Sequence, residues 1–458
     1  MGLTRDQEKA LKACMEGKNV FLTGGGGVGK TYLVKKIVEE LEKKGCEIML
    51  TASTGRAAQL IGGVTCHRAF SIPIKLTWQK DPDVGRDDPV CAADVVIIDE
   101  ISMLRMDSFS FLVKSIYQAN EIRAKAGNPP IQIIAVGDFC QLPPVLISSK
   151  DKDPGDAEIL SNYYGFDVRG GYAFISPEWD KCHFTVCDLK EVVRQSDKTT
   201  ANALNRLRYG DTSAIDVISS CTRQTPFPAS EKGVVYLCGK NRTADKINYS
   251  ALESLPGPKR TYSAIVEGSV SAQDKPVPDR ITLCVDARVM MMTNGDGYVN
   301  GSIGTVTDIG DSYIHIKLDD GHVVKVTYET WEVTKYIVDA DSNGKKSINI
   351  KVIGKYSQLP VRLSYAITIH KSQGQTLDKA ALVVGSTGTE IFACGQLYVG
   401  ASRVKDLGNL YIDGNISKVS RLASKEVIDF YNASGVETPV PEADHELDSS
   451  KAPAKPKR

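Results

Sequence analysis

The sequence predicts an α/β protein with two α/β domains and a small antiparallel β-barrel inserted into the second domain. Three observations support this fold class. A glycine-rich loop joins a predicted strand to a predicted helix near the N-terminus. Short β-branched apolar runs alternate with helical patterns up to about residue 185 and again after residue 233. Between residues 257 and 354 the pattern changes to short segments of alternating polarity, which is typical of an antiparallel barrel.

The predicted elements of the first domain, residues 1–186, follow from local signals. Thr4 and Gln7 form a capping-box pattern that opens an amphipathic helix. A strand at 19–23, the glycine loop, a helix at 30–44 and a strand at 47–51 then make a βαβ unit, and apolar runs at 94–98 and 131–136 predict buried parallel strands. A small insertion is expected at about 71–90.

The second domain is predicted to comprise residues 187–256 and 355–435, on either side of the inserted barrel. Its strands are expected at 233–238, 380–384 and 409–412. Residues 436–458 are rich in Pro, Ala and charge, and therefore predict a disordered tail.

Composition excludes several classes of protein. The 458 residues contain no uncharged apolar stretch near the ~18 residues that a membrane span needs. No secretory signal precedes the first helix, and the 11 cysteines include no Cys-x-x-Cys pair, so reduced thiols and a cytoplasmic location are expected. The formal net charge is zero, so any nucleic-acid binding must come from a local groove.

The glycine loop has the pattern of a phosphate-binding site. Gly24-x4-Gly29-Lys30-Thr31 lies between a strand and a helix, where backbone N–H groups can hold phosphates. Lys30 would neutralise the β- and γ-phosphates of ATP, and Thr31 would hold Mg²⁺. The residues assigned to nucleotide binding are Gln7, Gly25, Gly26, Gly27, Val28, Gly29, Lys30, Thr31 and Tyr32.

Polar side chains follow two further predicted strands. Asp99 and Glu100 end the run at 94–98, where Asp99 would bind Mg²⁺ and Glu100 would act as the base for the hydrolytic water. The alternative is an exposed acidic pair at a strand end. Gln141 follows the strand at 131–136 and could orient that water. The alternative is an ordinary residue of a turn before two prolines.

The second domain has no phosphate-binding loop of its own, so one nucleotide site in the cleft between the domains is expected to serve both. Arginines from the facing domain could then stabilise the phosphoryl group during hydrolysis. Arg194 and Arg403 stand at element ends and are the candidates, with surface arginines as the alternative.

Seven motifs, read in order, carry a resemblance to a known family. They are GGGGVGKT (24–31), TASTGRAAQLIGGVTCHRAF (51–70), VVIIDEISML (95–104), AVGDFCQLPPV (135–145), ARVMMMTN…VNGSIGTV (287–306), YAITIHKSQGQTL (365–377) and QLYVGASRVKD (396–406). Together with Gln7 and Arg194, they resemble the class B helicases of superfamily 1, and among these the petite-integration-frequency (Pif) family. A RecD-like helicase is the nearest alternative, and a phosphate-loop switch protein is disfavoured because no Asn-Lys-x-Asp motif is present.

The resemblance implies two RecA-like domains that close on ATP, movement 5′→3′ on single-stranded DNA, and activity on forked duplex and G-quadruplex DNA by a monomer. Gln7 resembles the family's adenine-reading glutamine. The positions that resemble the family's DNA-binding residues are Thr54, Gly55, His67, Phe70, Thr368, His370 and Lys371. His67 and His370 could instead be ordinary loop histidines, and Phe70 could be a core residue. Residues 71–90, where the family has a strand-separating wedge, carry no motif.

Overall fold

The computed structural model describes residues 2–73, 75–77, 80–147, 154–191, 197–225, 233–340 and 346–438. Within these ranges the first domain is built on a six-stranded parallel sheet with strand order β3-β2-β4-β5-β1-β6. Its strands are β1 Val20–Gly24, β2 Ile48–Ala52, β3 Val64–Thr65, β4 Val95–Asp99, β5 Gln132–Val136 and β6 Thr185–Leu189. The predicted boundary at residue 186 falls inside β6, which pairs with β1 along its whole length.

Helices cover both faces of this sheet. They are α1 Arg5–Met15, α2 Lys30–Lys43, α3 Gly55–Ile61, α4 Cys66–Ala69, α5 Pro89–Ala92, α6 Met106–Lys125, α7 Asp156–Tyr164 and α8 Pro177–Lys181. The predicted capping box opens α1, because the Thr4 hydroxyl accepts from the Gln7 N–H and the Gln7 side chain accepts from the Thr4 N–H. Since the central strands β1, β4 and β5 are buried on both faces, their side chains contribute to two separate core clusters.

The second domain begins with α9 Lys198–Arg208, α10 Ser213–Cys221, β7 Arg223–Gln224, β8 Val234–Cys238 and α11 Asn241–Ser254. The chain then leaves this domain for the inserted region and returns at residue 366.

The inserted region consists of antiparallel sheets in the part that the structure describes. Its strands are β9 Arg260–Ser263, β10 Ile265–Gly268, β11 Arg280–Leu283, β12 Arg288–Met291, β13 Ile303–Ile309, β14 Tyr313–Leu318, β15 Val323–Thr327, β16 Glu329–Ala340, β17 Lys346–Gln358 and β18 Val361–Leu363. A five-stranded sheet, β15-β14-β13-β12-β18, shares one core with the β9–β11 pair. The region therefore extends past the predicted end at residue 354, because β18 pairs with β12.

Two long strands of the inserted region were not predicted as a separate feature. β16 and β17 pair along 12 residues and form a three-stranded sheet with β10. This sheet reaches the first domain, where the Tyr336 hydroxyl donates to the Leu50 carbonyl at 2.9 Å and accepts from the Leu50 N–H at 3.1 Å. The sheet therefore links the inserted region directly to strand β2.

After the insertion the second domain is completed by β19 Ala366–Thr368, α12 Ile369–Ser372, β20 Lys379–Gly385, α13 Gln396–Ala401 and β21 Leu410–Gly414. In the described ranges its sheet is five-stranded and parallel, with order β19-β8-β20-β21-β7.

The last helix, α14 Lys425–Ala433, belongs to the second domain by the predicted bounds 355–435, but its buried side chains join the core of the first domain. The Tyr431 hydroxyl lies 2.9 Å from the Thr23 hydroxyl and accepts from the Phe139 N–H at 2.9 Å. Val436 is also buried in the first domain's core, so the predicted tail does not begin there. Residues 439–458 of that tail lie outside the described residues.

No helix in the described part of the chain is both long enough and apolar enough to cross a membrane.

Candidate nucleotide site and nucleic-acid groove

The glycine loop joins β1 to α2 as predicted. Gly29 has φ +83°, a backbone conformation that favours glycine, and a Cβ there would lie 2.8 Å from Nε2 of Gln7 and displace that side chain. The Lys30 ammonium folds back over the loop and donates to the carbonyls of Gly24 at 2.8 Å and Gly25 at 3.0 Å. Burial of this ammonium group in the cleft lowers the pKa of Lys30.

Gln7 connects helix α1 to the same loop. Its side chain is 3% exposed, and Nε2 donates to the Val28 carbonyl at 3.1 Å. Gln7 therefore lies beside the candidate phosphate site, while its role in reading adenine stays a prediction.

The two predicted carboxylates lie at the end of β4. An Asp99 carboxylate oxygen accepts from the Glu100 N–H at 2.8 Å. Glu100 has φ +52°, a left-handed conformation that is uncommon for a residue with a side chain and that concentrates at functional sites. Burial raises the pKa of both carboxyl groups, and the neighbouring charge of Glu100 adds to the effect on Asp99.

Gln373 of the second domain contacts Glu100. Its Nε2 donates to the Glu100 carboxylate at 3.0 Å and to the Gln141 carbonyl oxygen at 3.2 Å. Gln141 is 6% exposed and meets Gln373 of the second domain, so it is buried in the cleft, while its role in orienting water stays a prediction. Gln373 was not singled out from the sequence, although it lies in the quoted motif three residues after His370.

Helix α13 brings two more groups to the glycine loop. The Tyr398 hydroxyl accepts from the Gly26 N–H at 2.6 Å. Arg403, which follows the helix, is 2% exposed and donates through Nε to the Val399 carbonyl at 2.8 Å. A Cβ on Gly26 would lie 3.9 Å from Nη2 of Arg403, so this guanidinium lies beside the loop, while its role in hydrolysis stays a prediction. Arg194 lies outside the described residues.

The donor chemistry fits a nucleotide with Mg²⁺. Asp99 and Thr31 offer hard oxygen ligands beside the loop, which Mg²⁺ prefers. Lys30 supplies positive charge, and the N–H groups of a helix start supply donors for phosphate.

A buried ion pair also joins the two domains, and no sequence motif indicated it. Arg208 of α9 donates through Nε and Nη2 to the two carboxylate oxygens of Asp138, each at 3.0 Å. The Tyr431 hydroxyl donates to the same carboxylate at 3.2 Å. Asp138 is 0% exposed, so this bidentate pair fixes α9 against the loop after β5.

The predicted DNA-binding positions gather along a groove between the domains. Thr54, Gly55, His370 and Lys371 line a cavity of about 360 Å³. Thr368 lines a larger cleft that shares Met103, His370 and Lys371 with the first cavity. The two cavities are therefore neighbours that meet at these three residues.

Two predicted groove residues differ in their surroundings. Phe70 is 7% exposed and packs in the first domain's core, which favours the core alternative, while its role in DNA binding stays a prediction. His67 is half-buried and lies outside the residues that line these two cavities. Burial lowers the pKa of both His67 and His370, which favours neutral imidazoles at neutral pH.

Comparison with known proteins identifies the family. The family model described as PIF1-like helicase matches residues 2–212. The chain is 30% identical over 467 residues to the ATP-dependent DNA helicase Pif1 of Psychrobacter sp., covering 89% of this chain and 67% of that protein. This chain belongs to the PIF1-like helicase family. It is also 32% identical over 451 residues to the ATP-dependent DNA helicase PIF1 of Danio rerio, with 94% of this chain covered. The chain spans 63% of that relative's length.

Solved structures of the PIF1-like family confirm the fold class. The crystal structure of Bacteroides sp Pif1 in complex with ADP-AlF4 matches with a TM-score of 0.78 and 30% identity, covering 95% of this chain and 98% of that one. Bacteroides Pif1 bound to ssDNA matches with a TM-score of 0.65 and 31% identity, covering 94% and 97%. The tandem RecA-like domains expected from the motifs are therefore present.

Proposed function

We propose that this chain is an ATP-dependent DNA helicase that moves 5′→3′ along single-stranded DNA. The observation that carries the proposal is the position of Gln373. It follows helix α12, which places His370 and Lys371 in the groove, and it contacts Glu100 in the nucleotide cleft. One short segment thus touches both sites, so occupancy of the groove can change the groups that act on the nucleotide.

Within the cleft, Lys30, Thr31 and Asp99 would hold the nucleotide and Mg²⁺. When bound, the metal would neutralise the negative charge of the nucleotide's phosphate oxygens. These three groups all belong to the first domain, so we expect nucleotide binding to depend mainly on that domain.

Hydrolysis would need both domains. Glu100 is proposed to take a proton from the attacking water, with Gln141 orienting that water. Arg403 of the second domain would stabilise the charge that develops on the phosphate oxygens. Because these groups come from facing domains, closing the cleft would activate hydrolysis and opening it would release the products.

In the groove, Thr54 and Gly55 of the first domain and Thr368, His370 and Lys371 of the second would grip the strand. Contacts to the backbone do not depend on sequence, and base stacking contributes ~1–3 kcal/mol per base for any base. Alternating changes of grip between two domains would move the protein along the strand.

The polarity and the range of substrates rest on family resemblance. Bacteroides Pif1 has been captured with ADP-AlF4 and with ssDNA, which supports ATP with Mg²⁺ as cofactor and single-stranded DNA as partner here. Forked duplex and G-quadruplex DNA are further proposed substrates, and the protein is proposed to act as a monomer.

The first test is the ATPase rate with and without oligothymidylate. We expect strong stimulation by the oligonucleotide in the wild type and no measurable turnover in Lys30→Ala. Equal rates with and without DNA would refute a DNA-driven motor and favour a nucleotide-dependent switch.

The second test uses two partial duplexes that differ only in the polarity of the single-stranded tail. With ATP and a trap strand, the 5′-tailed duplex should open and the 3′-tailed duplex should remain intact. Opening of the 3′-tailed duplex alone would overturn the proposed direction while keeping the helicase activity.

A further inference from the structure

Five Lys and Arg side chains line the 360 Å³ cavity. Arg68 and Lys275 are paired with Asp274 and Asp279, and the other three come from three parts of the protein. Arg56 belongs to α3 of the first domain, Arg362 to β18 of the inserted region and Lys371 to α12 of the second domain. Arg56 and Arg362 are half-buried, and Lys371 is exposed along the groove. Neither arginine was among the residues predicted from the sequence to bind DNA.

The hydrogen bonds of Arg56 are all to neutral oxygens. Nη1 donates to the Lys371 carbonyl at 3.2 Å, and Nη2 donates to the Asn300 side chain at 3.4 Å. When the Gln375 amide is turned with its oxygen toward Arg56, it accepts from Nη2 at 2.8 Å. Nε is buried without a partner among the described residues. These contacts hold the guanidinium in place and leave its charge uncompensated.

Arg362 also donates to a neutral oxygen. Its Nε donates to the Pro276 carbonyl at 3.0 Å, and Nη2 donates to the same oxygen. Burial lowers the pKa of Arg362, and burial together with the charge of Arg362 lowers the pKa of Arg56. Two positive groups therefore line the same partly dehydrated cavity.

Carboxylates that line the cavity do not neutralise this charge. Asp274 is paired with Arg68 at 2.5 Å, and Glu100 accepts from Gln373. Glu332 also lines the cavity. In the ranges that the structure describes, none of Arg56, Arg362 and Lys371 forms an ion pair within 4.0 Å. Partly buried cations without a counter-charge cost free energy, and a bound anion would remove that cost.

We propose that Arg56, Arg362 and Lys371 together bind one phosphodiester of the DNA strand. This inference rests on the proposed function, because it places the strand in the groove. Guanidinium groups match the geometry of phosphate oxygens and bind them with two parallel hydrogen bonds. Met103 and Met292 line the same cavity and are half-buried, so they offer apolar surface that a base could contact and that a free phosphate ion would not contact.

The site would have a mechanical consequence. Each basic group belongs to a different part of the fold, so one phosphate would connect the first domain, the second domain and the inserted region. Binding the strand would then restrict the position of the inserted region relative to both RecA-like domains.

The first arm of the test measures affinity for a short oligothymidylate over a range of NaCl concentrations. Loss of one phosphate contact from single-stranded DNA should lower the slope of log K against log salt by about 0.7. We expect this change in Arg56→Gln and in Arg362→Gln, and not in Arg280→Gln, which removes an exposed arginine of β11. Arg362→Lys keeps the charge and should keep the slope. The proposal would be overturned if Arg56→Gln and Arg362→Gln each melted at the wild-type temperature and each kept the wild-type slope of log K against log salt.

The second arm locates the phosphate. In a series of oligonucleotides, each with one uncharged methylphosphonate linkage, wild type should lose affinity at a particular linkage, and Arg56→Gln should be insensitive to that same linkage. If Arg56→Gln lost as much affinity as wild type at every methylphosphonate linkage, Arg56 would not contact any of the substituted phosphates.

The third arm separates a strand phosphate from a free anion. Inorganic phosphate and NaCl at equal ionic strength should weaken DNA binding equally. If phosphate competes more strongly than NaCl while the methylphosphonate series is flat, the cavity is a free-anion site and the proposal is wrong. Failure of the helicase proposal itself would appear separately, as a wild-type ATPase rate that DNA does not raise.

Discussion

At the scale of single residues, Glu100 combines two properties of a catalytic group. Its backbone is left-handed, and its carboxylate is held by Gln373 from the facing domain. A strained conformation persists only where the surroundings hold it, here through the Ser53 hydroxyl bond to the Glu100 carbonyl at 2.7 Å and the contact with Gln373. Substitutions that keep the shape and remove the charge therefore test the chemistry alone.

We expect Glu100→Gln to bind ATP and to stop turnover, because an amide cannot take the proton from water while its oxygen still accepts from Gln373. The measurements are nucleotide affinity and DNA-stimulated ATPase rate. Glu121→Gln, the same change at an exposed position of α6, is the control and should behave as wild type. ATPase activity within about twofold of wild type in Glu100→Gln would exclude the base role.

Arg403 tests the contribution of the second domain to hydrolysis. Arginine fingers elsewhere contribute 10³–10⁵-fold, so Arg403→Ala should lower DNA-stimulated kcat by about 10²-fold or more, with a much smaller loss of nucleotide affinity. Because Arg403 also donates to the carbonyls of Val399 and Ser372, a purely structural role would lower the melting temperature and reduce both parameters together. The same kinetic pattern is expected for Arg194→Ala.

At the scale of elements, helix α12 and the residues that follow it connect the groove to the nucleotide cleft. The Thr368 hydroxyl caps this short helix by accepting from the Lys371 N–H at 3.3 Å. His370 and Lys371 line the groove, and Gln373 contacts Glu100. Because this element is short, a displacement of His370 and Lys371 in the groove would also displace Gln373 in the cleft.

Gln373→Ala should therefore weaken the response of the ATPase to DNA more than it weakens turnover without DNA. The ratio of the two rates is the quantity to measure, at saturating oligonucleotide. A variant in which both rates fall by the same factor would show that Gln373 supports the cleft and does not transmit DNA binding.

The contact between α9 and the loop after β5 is an element-scale feature of stability. Removing one partner of a buried ion pair leaves an uncompensated charge, which costs about 3–5 kcal/mol. Arg208→Met should thus lower the free energy of unfolding by that amount in urea denaturation. The double variant Arg208→Met with Asp138→Asn should lose less than the sum of the single changes. Additive losses would mean that the pair does not stabilise the domain contact.

At the scale of the whole molecule, the chain encloses its groove from several sides. The two RecA-like domains meet through Arg208 and Asp138, and the inserted region contacts the first domain through Tyr336 and through the Arg68–Asp274 pair. Tyr336 matters because its hydroxyl satisfies both backbone groups of Leu50 on the open side of β2.

Tyr336→Phe should loosen this contact, since an unsatisfied backbone group costs about 1–3 kcal/mol when it stays buried. We expect faster hydrogen–deuterium exchange at the Leu50 amide and faster dissociation of single-stranded DNA. Tyr328→Phe is a matched control, because the Tyr328 hydroxyl donates to Ser263 within the inserted region. Unchanged exchange at Leu50 in the Tyr336 variant would show that this hydroxyl does not hold the inserted region in place.

The sequence by itself determined the features that depend on neighbours along the chain. The capping box of α1, the glycine loop and the carboxylates at the end of β4 all follow from spacings of a few residues. Such signals are reliable because backbone geometry converts a short spacing directly into a position at a helix start or a strand end. The order of the motifs then identified the tandem RecA-like architecture.

Only the tertiary structure decided the roles that depend on which distant surface a side chain meets. Phe70 had the sequence context of a groove residue and is buried in the core, because packing around α4 and not periodicity sets its environment. Gln373 and Glu100 are 273 positions apart, and Tyr336 and Leu50 are 286 apart. Contacts at such separations arise from the docking of whole domains, which brings surfaces together without leaving a local pattern in either segment.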